Sequence, residues 1–283
     1  MIDAYNMIHR ARFGFGTGDH SVTFNFFRSL RSEVERHNAD KVYIVTEGRP
    51  VHRISESNGL YKGNREKILD DNFHRQKRDV FSLCQNLPVT ILRHPDYECD
   101  DSIATFTMMH HDLGDEVVIC SSDSDFIQLL GPTGITLWNP VKKKFIEPWP
   151  VDYLTWKSLK GDPTDNVPGV KGVGSKTASK LTEDLCLLKD FLNKKPERKE
   201  QFESAKRQIE LIDIDINCSR WEIKECEYSS QTLFNEFKKR EFKSIIGNAW
   251  KKWNNTWENV YEKHTTYRVR NNESSSNRIG QRV

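Results

Sequence analysis

The chain has 283 residues, of which 36% are hydrophobic and 30% are charged, so it can form one large domain or a core with a smaller lobe. The formal net charge is only +2, so the overall charge does not indicate a polyanionic partner. The sequence has no apolar run of about 18 residues and no signal-peptide pattern, and its six cysteines lack CxxC spacing. We therefore expect a soluble cytoplasmic protein with reduced thiols and no membrane partner.

Short apolar runs alternate with helical patterns along the first half of the chain. The candidate strands are mostly β-branched and are bounded by turn or polar residues. Helical patterns such as 21–38 and 101–112 lie between them. This alternation predicts an α/β fold with a mainly parallel sheet covered by helices on both faces. The candidate strands are 1–4, 42–45, 89–92, 117–120 and 135–138.

Nine carboxylates recur at short spacings, and most of them lie where an apolar stretch ends. Ligands of parallel sheets bind beyond the carboxyl ends of the strands. Two like charges about 4 Å apart repel by roughly 4 kcal/mol at an effective dielectric near 20, so such a cluster needs a cation. Hard divalent ions with oxygen ligands, Mg²⁺ or Mn²⁺, fit best and favour a metal-dependent phosphodiesterase. The nine are Asp3, Glu47, Glu98, Asp100, Asp101, Asp123, Asp125, Asp162 and Asp165.

Each acidic motif also has a simpler interpretation. Acids at 98–101 can cap a helix, but three carboxylates in four residues exceed what capping needs. The Asp123/Asp125 pair can be a turn after a strand, and residues 160–166 can be a plain loop. The loop becomes informative because glycines and lysines at 171–176 follow it and can offer backbone N–H groups to a phosphate.

Two further segments have a distinct composition. Residues 61–78 carry six Lys/Arg against three Asp/Glu, which is typical of a solvated helix face or of an element that grips an acidic substrate. Residues 233–260 are amphipathic and aromatic-rich, so packed helices are expected there. The overlapping segment 231–237 fits a sliding-clamp-binding peptide poorly, and a packed helix is favoured.

The chain resembles the flap endonuclease and 5′→3′ exonuclease family from Met1 to about residue 240. Six motifs occur in the family's order: IDAYNMIHRA, VYIVTEG, YKGNR, ECDD, SSDSDF and KGDPTDNVPGVKGVGSKTA. The resemblance implies a PIN-like α/β fold with a helical arch at about 50–88 and a helix–three-turn–helix motif. It implies a nuclease core over 1–158 followed by a helical region over 159–260. The Arg-, Ser- and Asn-rich composition of 261–283 predicts a disordered basic tail.

The resemblance also implies the chemistry. Two Mg²⁺ or Mn²⁺ ions would support cleavage near single-strand/duplex junctions of branched or nicked duplex DNA or of an RNA–DNA hybrid. A role in replication and RNA primer removal follows, for a phage enzyme or a stand-alone bacterial one, acting as a monomer beside other replication proteins. The balance of endonuclease and exonuclease activity stays open.

The family's functional positions map onto this sequence as follows. Glu98, Asp100, Asp101, Asp123 and Asp125 match the inner metal ligands, Asp162 and Asp165 match the acids of the second metal, and Asp3 matches the acid that ends the first strand. Lys62 and Arg65 match the catalytic basic pair at the base of the arch, and Tyr61 before them is expected to stack on a base. Lys171, Gly172, Gly174, Ser175 and Lys176 would hold the duplex backbone, with K⁺ coordinated there by carbonyls.

The sequence departs from the family pattern at two places. Thr46-Glu47-Gly48 replaces the usual Phe-Asp-Gly, and the longer glutamate would shift the metal geometry. The chain begins two residues before Asp3, so either the first strand is short or residues upstream are missing. Two alternatives remain. One is a PIN-like metal-dependent RNase, and the other is a non-catalytic structure-specific DNA-binding module, although eight of the nine expected acids are intact.

Overall fold

A computed structural model describes residues 1–16, 18–64 and 70–279. Within these ranges the chain forms twelve α-helices and seven strands. The strands are β1 (Ile2–Asp3), β2 (Tyr43–Val45), β3 (Thr90–Arg93), β4 (Val117–Cys120), β5 (Ile135–Asn139), β6 (Lys144–Ile146) and β7 (Glu222–Glu225).

The helices are of two kinds. Two short 3₁₀ helices, Asp125–Leu129 and Pro163–Asp165, follow β4 and the sixth α-helix. The α-helices are α1 (Ala4–Ala11), α2 (Ser21–Arg36), α3 (Val51–Glu56), α4 (Asp71–Cys84), α5 (Cys99–Asp112), α6 (Tyr153–Lys160), α7 (Ser175–Glu183), α8 (Leu185–Asn193), α9 (Pro196–Ile209), α10 (Ser230–Lys239), α11 (Lys243–Ile246) and α12 (Trp250–Ile279).

The chain divides into two compact units. The first unit contains 1–46, 70–92 and 222–283, and its strands run in the order β1-β2-β3-β7. β1 and β2 pair in parallel, as do β2 and β3. β1 and β2 are buried along their whole length, which is typical of parallel strands.

An aromatic core stabilises the first unit. Phe27 of α2 lies 5.3 Å from Phe237 of α10, and Phe237 lies 5.1 Å from Trp253 of α12, measured between ring centroids. Trp257 is completely buried. A fully buried apolar side chain of this kind contributes roughly 1.5–3 kcal/mol to the free energy of unfolding.

The second unit contains 47–69 and 93–221, and its strands run in the order β6-β5-β4. β4 and β5 are parallel, whereas β6 pairs with β5 in the antiparallel direction. Helix α5 packs on β4, and α6 packs on α7 and α9. A reciprocal capping box between Glu98 and Asp101 fixes the start of α5.

The α/β class and the mainly parallel sheet, seven strands in all over the described residues, confirm the prediction from the alternating pattern. Strands β1–β5 match the five predicted strands to within one residue at either end. Strands β6 and β7 were not predicted, because they are short and largely exposed. The unit boundaries differ from a division at residue 158, and α12 runs beyond residue 261, where a disordered tail is expected. No helix in the described ranges is long and apolar enough to cross a membrane.

Candidate metal centre

The end of β4 leads into the first acidic pair. Buried Ser121 accepts a hydrogen bond at its Oγ from the N–H of Asp123 at 3.1 Å. Asp123 in turn accepts from the N–H of Asp125 through Oδ1 at 2.9 Å. This turn fixes both half-buried carboxylates directly after the strand.

The loop after α6 carries the second acidic pair. Asp162 accepts hydrogen bonds from Thr164 and opens the 3₁₀ helix that ends at Asp165. Gly161 and Gly169 let the two ends of the loop touch: both have positive φ, and a Cβ on Gly169 would lie 2.4 Å from the backbone nitrogen of Gly161. Glycine is therefore required at this crossing.

The two acidic pairs meet. One carboxylate oxygen from each of Asp125, Asp162 and Asp165 lies within 4.8 Å of the others. Three negative charges at this spacing repel strongly unless a cation lies between them. Three convergent carboxylates are a donor set that suits Mg²⁺ or Mn²⁺.

Lys157 of α6 supplies a cation to this cluster. Its ammonium contacts Oδ1 of Asp125 and lies 2.7 Å from Oδ2 of Asp162. Burial would raise the pKa of Asp162, but hydrogen bonds from Lys157 and Thr164 lower it to about 2. Burial also raises the pKa of Asp125, to about 6, with Lys157 opposing the rise and Asp123 adding to it. The cluster therefore accommodates a positive charge at the position where a metal ion would bind.

Lys62 and Tyr61 link a second acid to this cluster. The Lys62 ammonium lies 2.5 Å from Oε1 of Glu98 and 3.7 Å from Oδ2 of Asp165. Burial would lower the pKa of Lys62, but Glu98, Asp165 and Asp100 outweigh it and raise the pKa. The Tyr61 hydroxyl donates to Glu98 at 2.8 Å and contacts Asp165 at 3.2 Å.

Tyr61 is buried in the protein alone, and its expected stacking on a base stays a prediction. The Tyr61 residue is 8% exposed, and it packs with Val167, Ala205 and Ile209. Two carboxylates hold the Tyr61 hydroxyl, and aliphatic side chains surround its ring. These contacts fix the position of the surrounding chain.

Hydrogen bonds fasten the turn at 60–64 to the acidic loop. The Lys62 backbone has a left-handed φ of 53°, which directs its N–H towards the loop. The turn therefore cannot shift without disturbing the loop that carries Asp165. The three bonds are Lys62 N–H to the Asp165 carbonyl at 3.0 Å, Asn64 Nδ2 to the Pro163 carbonyl at 3.0 Å and Asn166 Nδ2 to the Leu60 carbonyl at 2.8 Å.

Arg53 of α3 holds the start of α5. Its guanidinium is buried and contacts both oxygens of Asp101 at 2.6 Å, and it also contacts Oε2 of Glu98 at 3.0 Å. Its remaining hydrogen bonds go to the carbonyls of Gln208 and Glu210 at 2.9 and 2.7 Å. Such a bidentate arginine–carboxylate pair fixes orientation as well as charge.

The Arg53 contact gives Asp101 a second role besides that of a metal ligand, and the ligand role stays a prediction. Asp101 is completely buried, and its oxygens also accept from the N–H groups of Ile212 and Glu98 at 3.0 and 3.3 Å. With these partners the Asp101 carboxylate orients the Arg53 side chain and the Glu98 backbone.

The remaining predicted acids take separate places. Glu47 accepts from the N–H of Cys99 at 3.1 Å, so it caps the start of α5. Asp100 is half-buried near Lys62. Asp3 belongs to the first unit, where it caps α1 by accepting from the N–H of Asn6 at 2.9 Å. Its role as a metal ligand stays a prediction. Arg65 lies outside the described residues.

The glycine hairpin is exposed. Gly174 is the N-cap residue of α7, whose first N–H groups have no acceptor within the helix, and Ser175 and Lys176 beside it are exposed. Gly172 has a φ of +81° with open space around its α-carbon, and the N–H of Lys171 donates to Gln201 at 3.0 Å.

Arg53 and Lys157 were missed by the sequence reasoning. Both lie in helices where a basic residue is usually a solvated surface group, and Arg53 receives partners from about 150 residues away. For Lys157, the only signal was its position in the helix directly before the acidic loop, five residues from Asp162.

The fold and the carboxylate cluster define an α/β protein with an acidic centre suited to divalent cations. Residues 1–157 match the family model of the 5′-3′ exonuclease, N-terminal resolvase-like domain. This match covers more than half of the chain, so the protein belongs to that 5′-3′ exonuclease family. The family resemblance found in the sequence motifs is thereby confirmed.

Curated relatives are bacterial polymerases. The thermostable DNA polymerase I of Thermus thermophilus is 29% identical over 211 residues, covering 70% of this chain and 25% of the polymerase. The enzyme of Thermus filiformis is 32% identical over 211 residues, covering 70% of this chain and 24% of its own length. The chain thus spans about a quarter of these relatives.

A solved structure shares the fold along nearly the whole chain. The bacteriophage T5 flap endonuclease, in a pseudo-enzyme–product complex with DNA and metal ions, superposes with a TM-score of 0.62. The match covers 93% of this chain and 98% of the phage protein at 17% sequence identity. At this identity the likeness shows the fold alone.

Proposed function

We propose that the protein is a structure-specific 5′ nuclease that hydrolyses phosphodiester bonds near single-strand/duplex junctions. The substrates would be branched or nicked duplex DNA or an RNA–DNA hybrid. The observation that carries the proposal is the convergence of Asp125, Asp162 and Asp165 within 4.8 Å beside a buried lysine. Membership of the 5′ nuclease family supports the reaction class.

The centre would hold two Mg²⁺ or Mn²⁺ ions. Asp125, Asp162 and Asp165 are the core ligands, and Glu98, Asp100 and Asp123 complete the proposed set in the second unit. Bound divalent ions lower the pKa of a coordinated water and stabilise charge on the phosphate. Glu47 and Asp101 are better assigned to holding the start of α5, since their contacts lie there.

Lys62 would neutralise charge that develops on the phosphoryl oxygens, together with Arg65 at the base of the proposed helical arch. In the protein alone, the Lys62 ammonium is held on Glu98 at 2.5 Å, so it is already oriented before a substrate arrives. A preoriented cation of this kind stabilises the transition state without reorganisation.

Duplex binding is proposed for the segment from α6 through α7, as a helix–three-turn–helix motif. Lys171 and Lys176 would contact phosphates, the N–H groups at the start of α7 would receive a phosphate oxygen, and hairpin carbonyls would coordinate K⁺. Exposure of Lys171, Gly172, Gly174, Ser175 and Lys176 supports this assignment.

The proposed setting is replication, with removal of RNA primers from nicked duplexes in a bacterial or phage-infected cytoplasm. The relatedness to DNA polymerase I and the fold shared with a phage flap endonuclease support that setting. The protein would act as a monomer alongside other replication proteins.

Incubation of end-labelled 5′-flap, nicked and hybrid duplexes with the chain and Mg²⁺ tests the proposal. Cleavage near the junction is expected, with single-stranded RNA left intact, and the product lengths separate endonuclease from exonuclease action. Asp125→Asn should bind the same duplexes without cutting them, because binding depends on Lys/Arg–phosphate contacts. Cleavage of single-stranded RNA alone would favour an RNase, and no cleavage of any substrate would favour a non-catalytic binding module.

A further inference from the structure

Lys157 is placed unusually for a lysine. Its side chain is 8% exposed, and its ammonium bridges two carboxylates of the candidate metal centre, Asp125 and Asp162. Lysine is almost never fully buried unless it is paired, because moving an ammonium out of water is costly. The two acids therefore hold Lys157 in place, and Lys157 in turn keeps the two acids close together.

Both oxygens of Asp162 are already engaged. Oδ2 contacts the Lys157 ammonium at 2.7 Å, whereas Oδ1 accepts from the N–H and the hydroxyl of Thr164 at 2.9 and 2.5 Å. The Thr164 contacts belong to the turn that places Asp165 in the cluster. The Lys157 contact is the one that can be released without rebuilding this backbone.

A divalent ion and the Lys157 ammonium would compete for the same carboxylates. Like charges a few ångströms apart repel, so an ion bound to Asp125 and Asp162 destabilises the ammonium at its present position. Lys157 has a flexible four-carbon stem, which lets its ammonium move while its backbone stays in α6.

We propose that Lys157 is an internal cation of the metal-free centre, and that a divalent ion displaces its ammonium from Asp125 and Asp162 on binding. The inference rests on the proposed metal centre. Lys157 is a positioning residue in this scheme: it prevents the acids from separating before the metal arrives, and it weakens metal binding by competition.

The first test measures Mn²⁺ affinity by isothermal titration for the unmodified chain, Lys157→Met and Lys160→Met. Lys160 is the matched control, since it lies on the same helix with its ammonium over the Trp156 ring at 4.9 Å. We expect Lys157→Met to bind Mn²⁺ about tenfold more tightly or better, because its competitor is gone. Lys160→Met should bind as the unmodified chain does. Unchanged or weaker affinity in Lys157→Met would overturn the inference.

A second test uses the unmodified chain and decides the matter if Lys157→Met fails to fold. Lysines are acetylated briefly in excess EDTA or in Mn²⁺, and the modified peptides are quantified by mass spectrometry. Lys157 should react several times faster with Mn²⁺ present, whereas Lys160 should react equally in both. Equal protection of Lys157 in both conditions would overturn the displacement.

The outcomes separate this inference from the proposed function. Tighter Mn²⁺ binding by Lys157→Met in a chain that cuts no duplex would leave the inference standing and remove the nuclease. Normal junction cleavage by the unmodified chain, with unchanged Mn²⁺ affinity in Lys157→Met, would overturn the inference and support the nuclease function. Failure of the unmodified chain to bind Mn²⁺ would overturn both.

Discussion

Lys62 combines a strained backbone with a buried charge. Its φ of 53° costs conformational energy, which its N–H bond to Asp165 and its ammonium contact with Glu98 offset. We expect Lys62→Ala to slow single-turnover cleavage by about 10²–10³-fold, because a preoriented cation is lost near the reacting phosphate. Duplex affinity should change little. Rapid-quench cleavage and a filter-binding assay measure the two effects, with exposed Lys199→Ala as control. A Lys62→Ala chain that cuts at the normal rate would remove the assigned role.

At the residue level, the sequence predicted the acids better than their partners. Asp125, Asp162 and Asp165 were found because acids at strand ends and in a specific loop motif have few other uses. Arg53 and Lys157 were not found, because a basic residue in a helix carries no local sign that tertiary contacts will bury it. The pairing of Asp101 with Arg53 was not found for the same reason, since the two residues lie 48 positions apart.

Among the loops, Gly169 and Gly172 form a matched pair. Both have positive φ, but a Cβ on Gly172 meets open space, whereas one on Gly169 would collide with the backbone of Gly161. We expect Gly172→Ala to lower the free energy of unfolding by about 1–2 kcal/mol, from backbone strain alone. Gly169→Ala should lose a further 1–3 kcal/mol or so from overpacking. Urea unfolding of both variants measures the difference, and equal losses would contradict the close loop crossing.

The exposed lysines near the start of α7 predict how strongly duplex binding depends on salt concentration. If Lys171 and Lys176 each contact a phosphate, replacing both by serine should reduce the slope of log K against log salt by about 2. Lys180→Ser, in the last turn of the same helix, is the control. Fluorescence anisotropy of a labelled duplex over a range of salt concentrations measures the slope. An unchanged slope in the double variant would exclude the hairpin contact.

Strand prediction succeeded where burial is two-sided. The apolar runs of β1–β5 have few alternative structures, so their positions follow from composition. β7 reads Glu-Ile-Lys-Glu and is exposed throughout, so its pairing in the sheet leaves almost no hydrophobic signal. The two compact units interleave along the chain, which a single predicted boundary at residue 158 could not describe.

Over the whole molecule, four histidines make stability depend on pH. Burial is the main cause that lowers the pKa of each below the usual 6.5: His20, His37, His52 and His264. The unfolded chain therefore takes up protons before the folded chain does, so the free energy of unfolding falls as pH drops through about 6.5. Asp125 acts in the opposite direction below about pH 6, where its raised pKa makes protonation favour the folded state.

Urea unfolding between about pH 8 and pH 7 checks this expectation, because a carboxyl with a pKa of about 6 stays largely ionised in that window. His52→Gln is the informative variant, because neither ring nitrogen of His52 has a hydrogen-bond partner among the described residues. The variant should flatten the pH dependence. A slope equal to that of the unmodified chain would show that His52 takes no part.

The three hydrogen bonds between residues 60–64 and the loop at 162–166 would couple substrate binding to metal binding. Residues 60–64 lie at the base of the proposed helical arch. The loop carries Asp162 and Asp165, two of the proposed metal ligands. A nucleic-acid strand that displaces residues 60–64 would therefore also displace the loop at 162–166. Substrate binding and metal binding would then depend on each other, so a wrongly placed substrate would leave the metal centre unable to cleave it.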